Sequence, residues 1–205
     1  MPGTEEPYRA YTATKNAGKL RELRAIFAPL GWELSSYPGY ADVDETSETY
    51  AGNASLKARA LRAQLLGAGV AVPVLGDDSG IEVAALGGRP GVYSARYGGA
   101  ALDWPARRRA LIAELAASGS SDRRARFVCA LHFIDADGDE VAVERDVWGA
   151  LAVTERGGGG FSYDPIFEYP PSGRTFAELS EAEKNKVSHR AHAARALVEV
   201  LGGRG

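Results

Sequence analysis

Two adjacent carboxylates, Asp77 and Asp78, stand in the stretch LGDDSGIEV, directly after the apolar run VAVPVL. Neighbouring like charges repel, and neither is easily buried without a partner. Acidic side chains at the carboxyl end of a central strand lie where α/β sheets bind ligands. A hard cation such as Mg²⁺ takes one or two carboxylates together with substrate phosphates. The pair therefore indicates a site for a metal and a phosphorylated ligand, with an ordinary acidic turn as the alternative because DDSG has turn composition.

A loop further upstream carries four more acids, Asp42, Asp44, Glu45 and Glu48. Acidic residues stabilise the N-terminus of a helix, so this loop alone is typical of a solvated helix start. Asn53 and Lys57 follow within the predicted helix and, four residues apart, lie on one of its faces. These two side chains either reach a ligand or face water.

The stretch TKNAGK, Thr14 to Lys19, joins a predicted strand to a predicted helix. A helix N-terminus offers free N–H groups and a partial positive charge, and Gly18 lets the backbone approach a ligand closely. With Lys15 and Lys19 beside it, the segment is a suitable cradle for phosphates. It lacks the spacing of a Walker loop. A capped helix start with solvated lysines is the alternative.

The loop GGGGFSYDPIF carries side chains suited to a nucleobase. Phe161 and Tyr163 can stack on a base, and Asp164 can accept hydrogen bonds from ring N–H groups. Packing of the loop on the core, with Pro165 fixing a turn, is the alternative.

The segment EKNKVSHRAHA is basic. On an unbroken helix Lys184 and Ser188 share a face, whereas His189 and Arg190 turn away. All of them can meet one ligand only if the helix bends or restarts near Ser188, which is a good N-cap. A solvated basic helix face is the alternative.

The apolar pattern between these segments alternates between helix and strand. It predicts strands at 8–13, 32–35 and 72–75, a separate strand-like piece in IEVAAL, and a hairpin formed by ARFVCALHFID and EVAVERDVWGALAV. Helices are predicted at about 16–31, with the stripe Leu20, Leu23, Phe27 and Leu30, and then at about 49–66, 103–117 and within the final third. We therefore expect an α/β fold with a mixed central sheet flanked by helices. Residues 8–205 are expected to form a single domain after a loose tail, residues 1–7.

Composition excludes some classes of partner. The formal net charge of -3 argues against general binding to nucleic acid or to anionic membranes. No apolar run approaches the length of a membrane span, and the N-terminal stretch is not a signal peptide. The single cysteine, Cys129, allows no intrachain disulfide, which fits a reducing cytoplasm.

Taken together, these segments resemble the family of inosine/xanthosine triphosphate pyrophosphatases, hydrolases of non-canonical purine nucleotides. The resemblance runs from Ala13 to about Ala193, in the family's order and spacing. It is carried by the stretches ATKNAGKLRELRAIF, ETSETYAGNASLKARA, DDSGIEVAALGGRPGVYSARYGG, GGFSYDPIFEYPPSGRTFAEL and EKNKVSHRAHA.

The resemblance implies an elongated, two-lobed α/β fold with an active cleft between the lobes. It implies Mg²⁺-dependent hydrolysis of ITP, dITP and XTP to the monophosphate and pyrophosphate, which cleanses the nucleotide pool. Members usually form homodimers.

The same resemblance implies roles for individual residues. Glu45 and Asp78 would bind Mg²⁺, and Asp78 would also be the general base, with Asp77 as its neighbour. The residues that would contact the triphosphate or the base are Thr14, Lys15, Asn16, Ala17, Gly18, Lys19, Ser79, Phe161, Ser162, Tyr163, Asp164, Lys184, His189 and Arg190.

Two departures and two alternatives remain. The family usually has G-F-G-Y-D where this chain has Ser162 in place of the second glycine, and either Asp44 or Glu45 fits as metal ligand. Donors such as Arg190 would favour the 6-keto group of hypoxanthine and xanthine over the amino group of adenine. A pyrophosphatase for modified pyrimidine or methylated nucleotides, or a regulatory nucleotide-binding module without catalysis, are the other functions considered.

Overall fold

The computed structural model describes residues 6–203. Its helices are α1 (Ala17–Phe27), α2 (Tyr50–Gly67), α3 (Trp104–Ala117), α4 (Glu181–Val187) and α5 (His189–Gly202). Its strands are β1 (Tyr8–Thr12), β2 (Trp32–Ser36), β3 (Val74–Val83), β4 (Arg124–Ile134), β5 (Glu140–Leu151), β6 (Phe167–Tyr169) and β7 (Arg174–Thr175).

The seven strands form one sheet in the order β2-β1-β3-β4-β5-β6-β7. Strand β1 runs parallel to β2 and to β3, whereas β5 with β6 and β6 with β7 are antiparallel. The predicted hairpin is present as the neighbouring strands β4 and β5. The expected mixed α/β fold is therefore confirmed.

The chain divides into two compact units, each assembled from separate segments. The first contains the described residues up to Asp78, Cys129–Arg145 and the described residues from Arg190 onward. Its core has two apolar clusters, one around Phe27, Trp32 and Phe133 and the other around Leu61 and Leu65 of α2.

The second unit contains Ser79–Val128 and Asp146–His189. Its core joins Leu111 and Leu115 of α3 to the rings of Phe127, Phe167 and Phe176. The rings of Phe127 and Phe167 lie 4.6 Å apart between centroids, which fixes this part of β4 against β6.

Helix starts follow the capping residues of the sequence. The side chains of Asn16, Thr49 and Asp103 each accept a backbone N–H at the start of α1, α2 and α3. Ser180 and Glu183 form a capping box at the start of α4. The first three caps confirm the predicted beginnings of α1, α2 and α3, since each satisfies N–H groups that have no partner within the helix.

Two other expectations concern the termini and membranes. Of the predicted loose tail, residues 1–5 lie outside the described residues, and Glu6 and Pro7 are exposed without helix or strand. Within residues 6–203, none of the helices combines the length and apolar character that a membrane span requires.

The course of β3 corrects the sequence prediction. The expected strand ends at Leu75 and a separate piece begins near Ile81, but the structure has one strand from Val74 to Val83. Asp77 and Asp78 thus lie inside a buried strand, neither after its end nor in an acidic turn. A strand can carry two carboxylates in its buried part only where cations compensate them.

Candidate active site

The two aspartates face opposite sides of strand β3, because successive side chains of a strand alternate. Asp77 shares its side with Leu75, which packs in the cluster that contains Phe27. Asp78 shares its side with Val74 and Gly76, against which α2 packs. Asp77 and Asp78 are 2% and 4% exposed, so each depends on its own set of partners.

Asp77 is held by two cations. Lys19 Nζ lies 2.7 Å from Asp77 Oδ2, and Arg190 Nε donates to Asp77 Oδ1 over 3.3 Å. Cys129 Sγ also lies 3.7 Å from Oδ1. Burial by itself raises the pKa of Asp77, but the charges of Lys19 and Arg190 outweigh it and lower the pKa below its usual range. Lys19 and Arg190 therefore favour the ionised form of Asp77.

Asp78 has neutral as well as charged partners. Asn53 Nδ2 donates to Asp78 Oδ2 over 3.3 Å, and Lys57 Nζ donates to Asp78 Oδ1 over 3.1 Å. Burial raises the pKa of Asp78, and the nearby lysines counter only part of this. Of the two aspartates, Asp78 is thus the more basic carboxylate.

Lys57 links Asp78 to the acidic loop. Its ammonium makes ion pairs with both Asp78 and Glu45 and also donates to the carbonyl of Asp77 over 3.3 Å. Burial acts to lower the pKa of Lys57, but the two carboxylates outweigh it and raise the pKa. Glu45 is half-buried and reaches this lysine, whereas Asp44 is exposed. The geometry therefore favours Glu45 as the acid that acts together with Asp78.

The predicted phosphate cradle lies at the start of α1. Asn16 Oδ1 accepts from the backbone of Lys19 over 3.1 Å, and Thr14 Oγ1 accepts from the backbone of Asn16 over 3.2 Å. Lys15, Asn16 and Ala17 are exposed, which leaves the helix N-terminus accessible. Lys19 points instead to Asp77, so the cradle and the strand aspartates belong to one charge network.

Arg190, which is expected to bind the base, belongs to the first unit. The boundary between the two units falls between His189 and Arg190. Arg190 is buried in the first unit, where it contacts Asp77 and donates through Nη1 to Glu22 Oε2 over 3.1 Å. The structure thus gives Arg190 two carboxylate partners, and its expected contact with the base remains a prediction.

In the second unit, a loop from Gly160 to Asp164, the aromatic loop, folds around the Asp164 carboxylate. Phe161 N donates to Asp164 Oδ2 over 2.7 Å, and Lys184 Nζ lies 2.6 Å from the same oxygen. Lys184 Nζ also lies 4.9 Å from the centroid of the Phe161 ring. A Cβ at Gly160 would overlap the Asp164 side chain, so glycine is required there. Asp164 thus organises the loop rather than offering a free acceptor.

Ser162 occupies a backbone conformation that favours glycine. Its φ is +60°, the one positive value of a non-glycine residue in the described chain. The departure from the family's glycine therefore falls where a side chain costs conformational energy. Arg108 Nη1 of α3 donates to the Ser162 carbonyl over 2.8 Å and so supports this conformation.

Tyr163 and His189 are buried rather than open to a ligand. The Tyr163 ring packs edge-on against Trp104 at 5.5 Å, and its hydroxyl donates to Ser94 O over 2.9 Å. The idea that Tyr163 stacks on a base does not fit this position, which leaves Phe161 as the half-buried ring of the loop. His189 stacks on Phe127 with centroids 4.6 Å apart.

The last helix restarts near Ser188, which is the condition for its basic residues to meet one ligand. Helix α4 ends at Val187, Ser188 has extended dihedrals (φ -72°, ψ 157°), and α5 begins at His189. Ser79, the remaining predicted contact, is half-buried at the start of the second unit.

Two functional candidates escaped sequence reasoning. Glu22 lies three residues after Lys19 on α1 and is buried, because it occupies the same stripe as Leu23 and Ile26. Arg108 lies in a run of three arginines that looks like a solvated helix face. Glu22 could have been identified because it is a charged residue within the apolar stripe of α1. Nothing in the sequence distinguishes Arg108 from its neighbours.

A metal site made of protein ligands alone is not present in the part of the chain that the structure describes, where no group of three His, Cys, Asp or Glu side chains comes together. Glu45 and Asp78 nevertheless share one ammonium. Two carboxylates completed by substrate phosphates fit the preference of Mg²⁺.

Comparison with known proteins gives a consistent result. The Ham1 family model matches residues 10–200. The dITP/XTP pyrophosphatase of Geobacillus kaustophilus is 46% identical over 200 residues, which cover 94% of this chain and 96% of that protein. A dITP/XTP pyrophosphatase of Thermus thermophilus is 47% identical over 189 residues, covering 91% and 88%.

Solved structures agree with the sequence matches. A HAM1 protein from Coxiella burnetii superposes with a TM-score of 0.84 at 34% identity, covering 96% of this chain and 99% of that one. The Ham1 protein of Staphylococcus aureus gives a TM-score of 0.81 at 35% identity, covering 96% and 100%.

Proposed function

This chain belongs to the Ham1 family, and we propose that it hydrolyses the non-canonical purine nucleoside triphosphates ITP, dITP and XTP to the monophosphate and pyrophosphate. The relatives named dITP/XTP pyrophosphatase support this activity. It removes deaminated purines from the nucleotide pool.

The proposal rests on one observation, that the two aspartates of β3 have different partners. Asp77 is neutralised by Lys19 and Arg190, whereas Asp78 lies with Asn53, Lys57 and Glu45 on the opposite face of β3. A pure binding module has no need of a carboxylate with these surroundings. We propose Asp78 as the general base that orients and deprotonates water for attack on the α-phosphorus.

Mg²⁺ is proposed as the cofactor, held by Glu45 and Asp78 together with substrate phosphates. When bound, it would neutralise polyphosphate charge and polarise the phosphoryl oxygens. The protein's own part is to hold the two carboxylates through Lys57 and to hold the phosphates at the N-terminus of α1, from Thr14 to Lys19.

The purine is proposed to bind at the aromatic loop, where Phe161 offers a ring face and Lys184 a charged donor. Donors and backbone N–H groups favour a 6-keto purine, because with adenine a donor would face the 6-amino donor and remain unpaired. Ser79, Asp164 and His189 remain proposed contributors to this region.

The test measures the release of pyrophosphate and of orthophosphate from ITP, dITP, XTP, ATP and GTP, with and without Mg²⁺. We expect pyrophosphate from the first three, dependent on Mg²⁺, and much slower release from ATP and GTP. Orthophosphate without pyrophosphate would disprove cleavage at the α–β bond. Faster turnover of modified pyrimidine triphosphates would assign a different substrate, and tight ITP binding without turnover would indicate a regulatory module.

A homodimer in a reducing cytoplasm completes the proposal. The one cysteine, Cys129, is buried and free, which suits a reducing environment. Sedimentation analysis at micromolar concentration tests the dimer.

A further inference from the structure

We propose that Arg108, held by Glu155, is a positioning residue for purine selectivity: it fixes the backbone of the aromatic loop in its bent conformation. This inference rests on the proposed function, since it takes the aromatic loop as the purine site. Neither Arg108 nor Glu155 belongs to the motifs that suggested the activity.

The aromatic loop has an unusual backbone conformation at two positions. Gly160 has φ +69° and Ser162 has φ +60°, so the chain enters the left-handed region twice within three residues. Gly160 adopts this conformation freely, whereas the Cβ of Ser162 opposes it. A serine remains in such a conformation only when its surroundings hold it there.

Arg108 holds the Ser162 backbone in this conformation. Arg108 Nη1 donates to the Ser162 carbonyl over 2.8 Å, and Arg108 Nη2 donates to Glu155 Oε2 over 2.8 Å. The Arg108 side chain is buried, with 11% of its surface exposed. A buried guanidinium fixed by a carboxylate is a strong and directional donor, because its planar fork does not rotate away from the carbonyl.

The two arginines next to Arg108 do not share its contact with Ser162 in the hydrogen bonds that the structure describes. Arg107 donates to the carbonyls of Tyr97, Gly99 and Leu102, and so secures a different loop. Arg109 is exposed. One turn of α3 therefore offers an arginine that reaches the aromatic loop and another, Arg109, that serves as a matched control.

The conformation of the aromatic loop should determine which purine base the protein binds. Phe161 and Tyr163 flank Ser162, so the Ser162 backbone sets the direction of the Phe161 ring and of the N–H groups beside it. A hydrogen bond from a charged donor carries enough free energy to change affinity by about tenfold or more when it is lost. Loosening the loop should weaken purine binding and discrimination without changing the chemical step, which belongs to Asp78.

The experiment compares R108M, R108K and R109M for kcat and KM on ITP and ATP. In R108M we expect the KM for ITP to rise about tenfold while kcat stays within about twofold, and the preference for ITP over ATP to fall about tenfold. R108K should recover part of both effects, and R109M should match the unmodified protein. A KM in R108M within about twofold of normal, with unchanged preference, would overturn the proposal.

A second background tests the mechanism. In S162G the loop adopts positive φ without steric cost. Adding R108M to S162G should therefore raise the KM for ITP less than about threefold, a non-additive result that marks coupling between the two positions. The full tenfold effect in both backgrounds would show that Arg108 does not act through Ser162.

Two controls separate the possible failures. If the unmodified protein hydrolyses none of the purine triphosphates, the proposed function is wrong. If it hydrolyses them and R108M has the same kinetics, only this inference is wrong. If R108M does not fold, E155Q is measured instead, and we expect the same changes in KM and in the preference for ITP over ATP, but smaller ones. Chymotrypsin cleavage after Phe161, measured without substrate, should be faster in R108M and E155Q than in R109M; equal rates would contradict a role in holding the loop.

Discussion

Asp77 and Asp78 are identical side chains one peptide bond apart, and their partners alone give them different tasks. The strand directs Asp77 towards Lys19 and Arg190 and directs Asp78 towards Asn53 and Lys57. One aspartate is thus compensated by two cations, and the other shares a single cation with Glu45. The first arrangement suits a structural role and the second suits a reactive base.

Replacing Asp78 tests its chemical role. We expect D78N to lose at least about a hundredfold in kcat for ITP, because general base catalysis contributes about 10²–10⁴-fold and an amide cannot accept the proton. The fold should remain, since Lys57 keeps Glu45 as a partner. Steady-state kinetics with circular dichroism as the folding control measures both; near-normal kcat would remove Asp78 from the mechanism.

Replacing Asp77 by the same isostere should act mainly on stability. D77N leaves the buried side chain of Arg190 with Glu22 as its remaining named carboxylate and removes the ionic partner of Lys19. Breaking a buried ion pair from one side costs about 3–5 kcal/mol. Urea unfolding should therefore show a larger loss of free energy of unfolding for D77N than for D78N. An equal or smaller loss would contradict a structural role for Asp77.

At the scale of elements, the aspartates lie where they do because α2 approaches β3 closely. Gly76 makes this approach possible, since a Cβ there would overlap the carbonyl of Ala54 and lie 3.0 Å from the Ala58 Cβ. The close contact places Asn53 and Lys57, one turn apart on the same helix, beside Asp78. The helix thereby determines the surroundings of the proposed base.

Substitution of Gly76 tests this packing. G76A should destabilise the protein by about 1–3 kcal/mol through overpacking and should also lower kcat, because α2 must move away from Asp78. Gly67 at the end of α2 has no atom near its would-be Cβ, so G67A is the matched control and should be neutral or slightly stabilising. Thermal melts of the two variants decide the matter; equal melting temperatures would exclude the close contact.

Local signals in the sequence predicted the helices and the longer strands, but they did not indicate the short strands β6 and β7 and ended β3 too early. The starts of α1, α2 and α3 follow from capping side chains, and the break at Ser188 follows from the need to bring Lys184 and His189 to one region. Strand β3 was predicted to end too early because two carboxylates resemble a turn. The cations that let the strand continue come from distant positions, and no local pattern shows them.

The predicted stripe of α1 is confirmed at Leu23 and Phe27, which are buried, but it is wrong at other positions. The apolar pattern favours Leu20 and Leu30 as buried, but the structure buries Glu22 and Ile26 and leaves the two leucines half-exposed. Hydrophobic periodicity assumes that charged residues face water. Glu22 violates this assumption because Arg190, 168 positions later in the chain, supplies its partner.

At the scale of the whole molecule, the sequence predicted the mixed α/β class but not the strand order. In the order β2-β1-β3-β4-β5-β6-β7, strand β3 lies between β1 and β4, and these two strands are far apart in the chain. Pairing of this kind depends on tertiary packing rather than on propensity. The same holds for the charge network, whose members Lys19, Lys57, Asp77 and Arg190 come from four different elements of the first unit, α1, α2, β3 and α5.

This network predicts how the whole molecule responds to removal of metal. Lys57 and Asn53 already pair with the acids proposed to hold Mg²⁺, so the fold does not require the ion for charge balance. With EDTA we therefore expect pyrophosphate release to fall at least about a hundredfold while the Tm without substrate changes by less than about 2 °C. Restoring Mg²⁺ should restore turnover.

The variant K57M provides the contrast, because it leaves Glu45 and Asp78 without their shared cation. Its Tm in EDTA should be lower than that of the unmodified protein, and Mg²⁺ should recover several degrees, since the ion then balances the two carboxylates. Calorimetric scans of both proteins with and without Mg²⁺ measure this difference. Turnover that persists in EDTA would contradict Mg²⁺ as the cofactor. If Mg²⁺ does not change the Tm of K57M, Glu45 and Asp78 are not the residues that hold the ion.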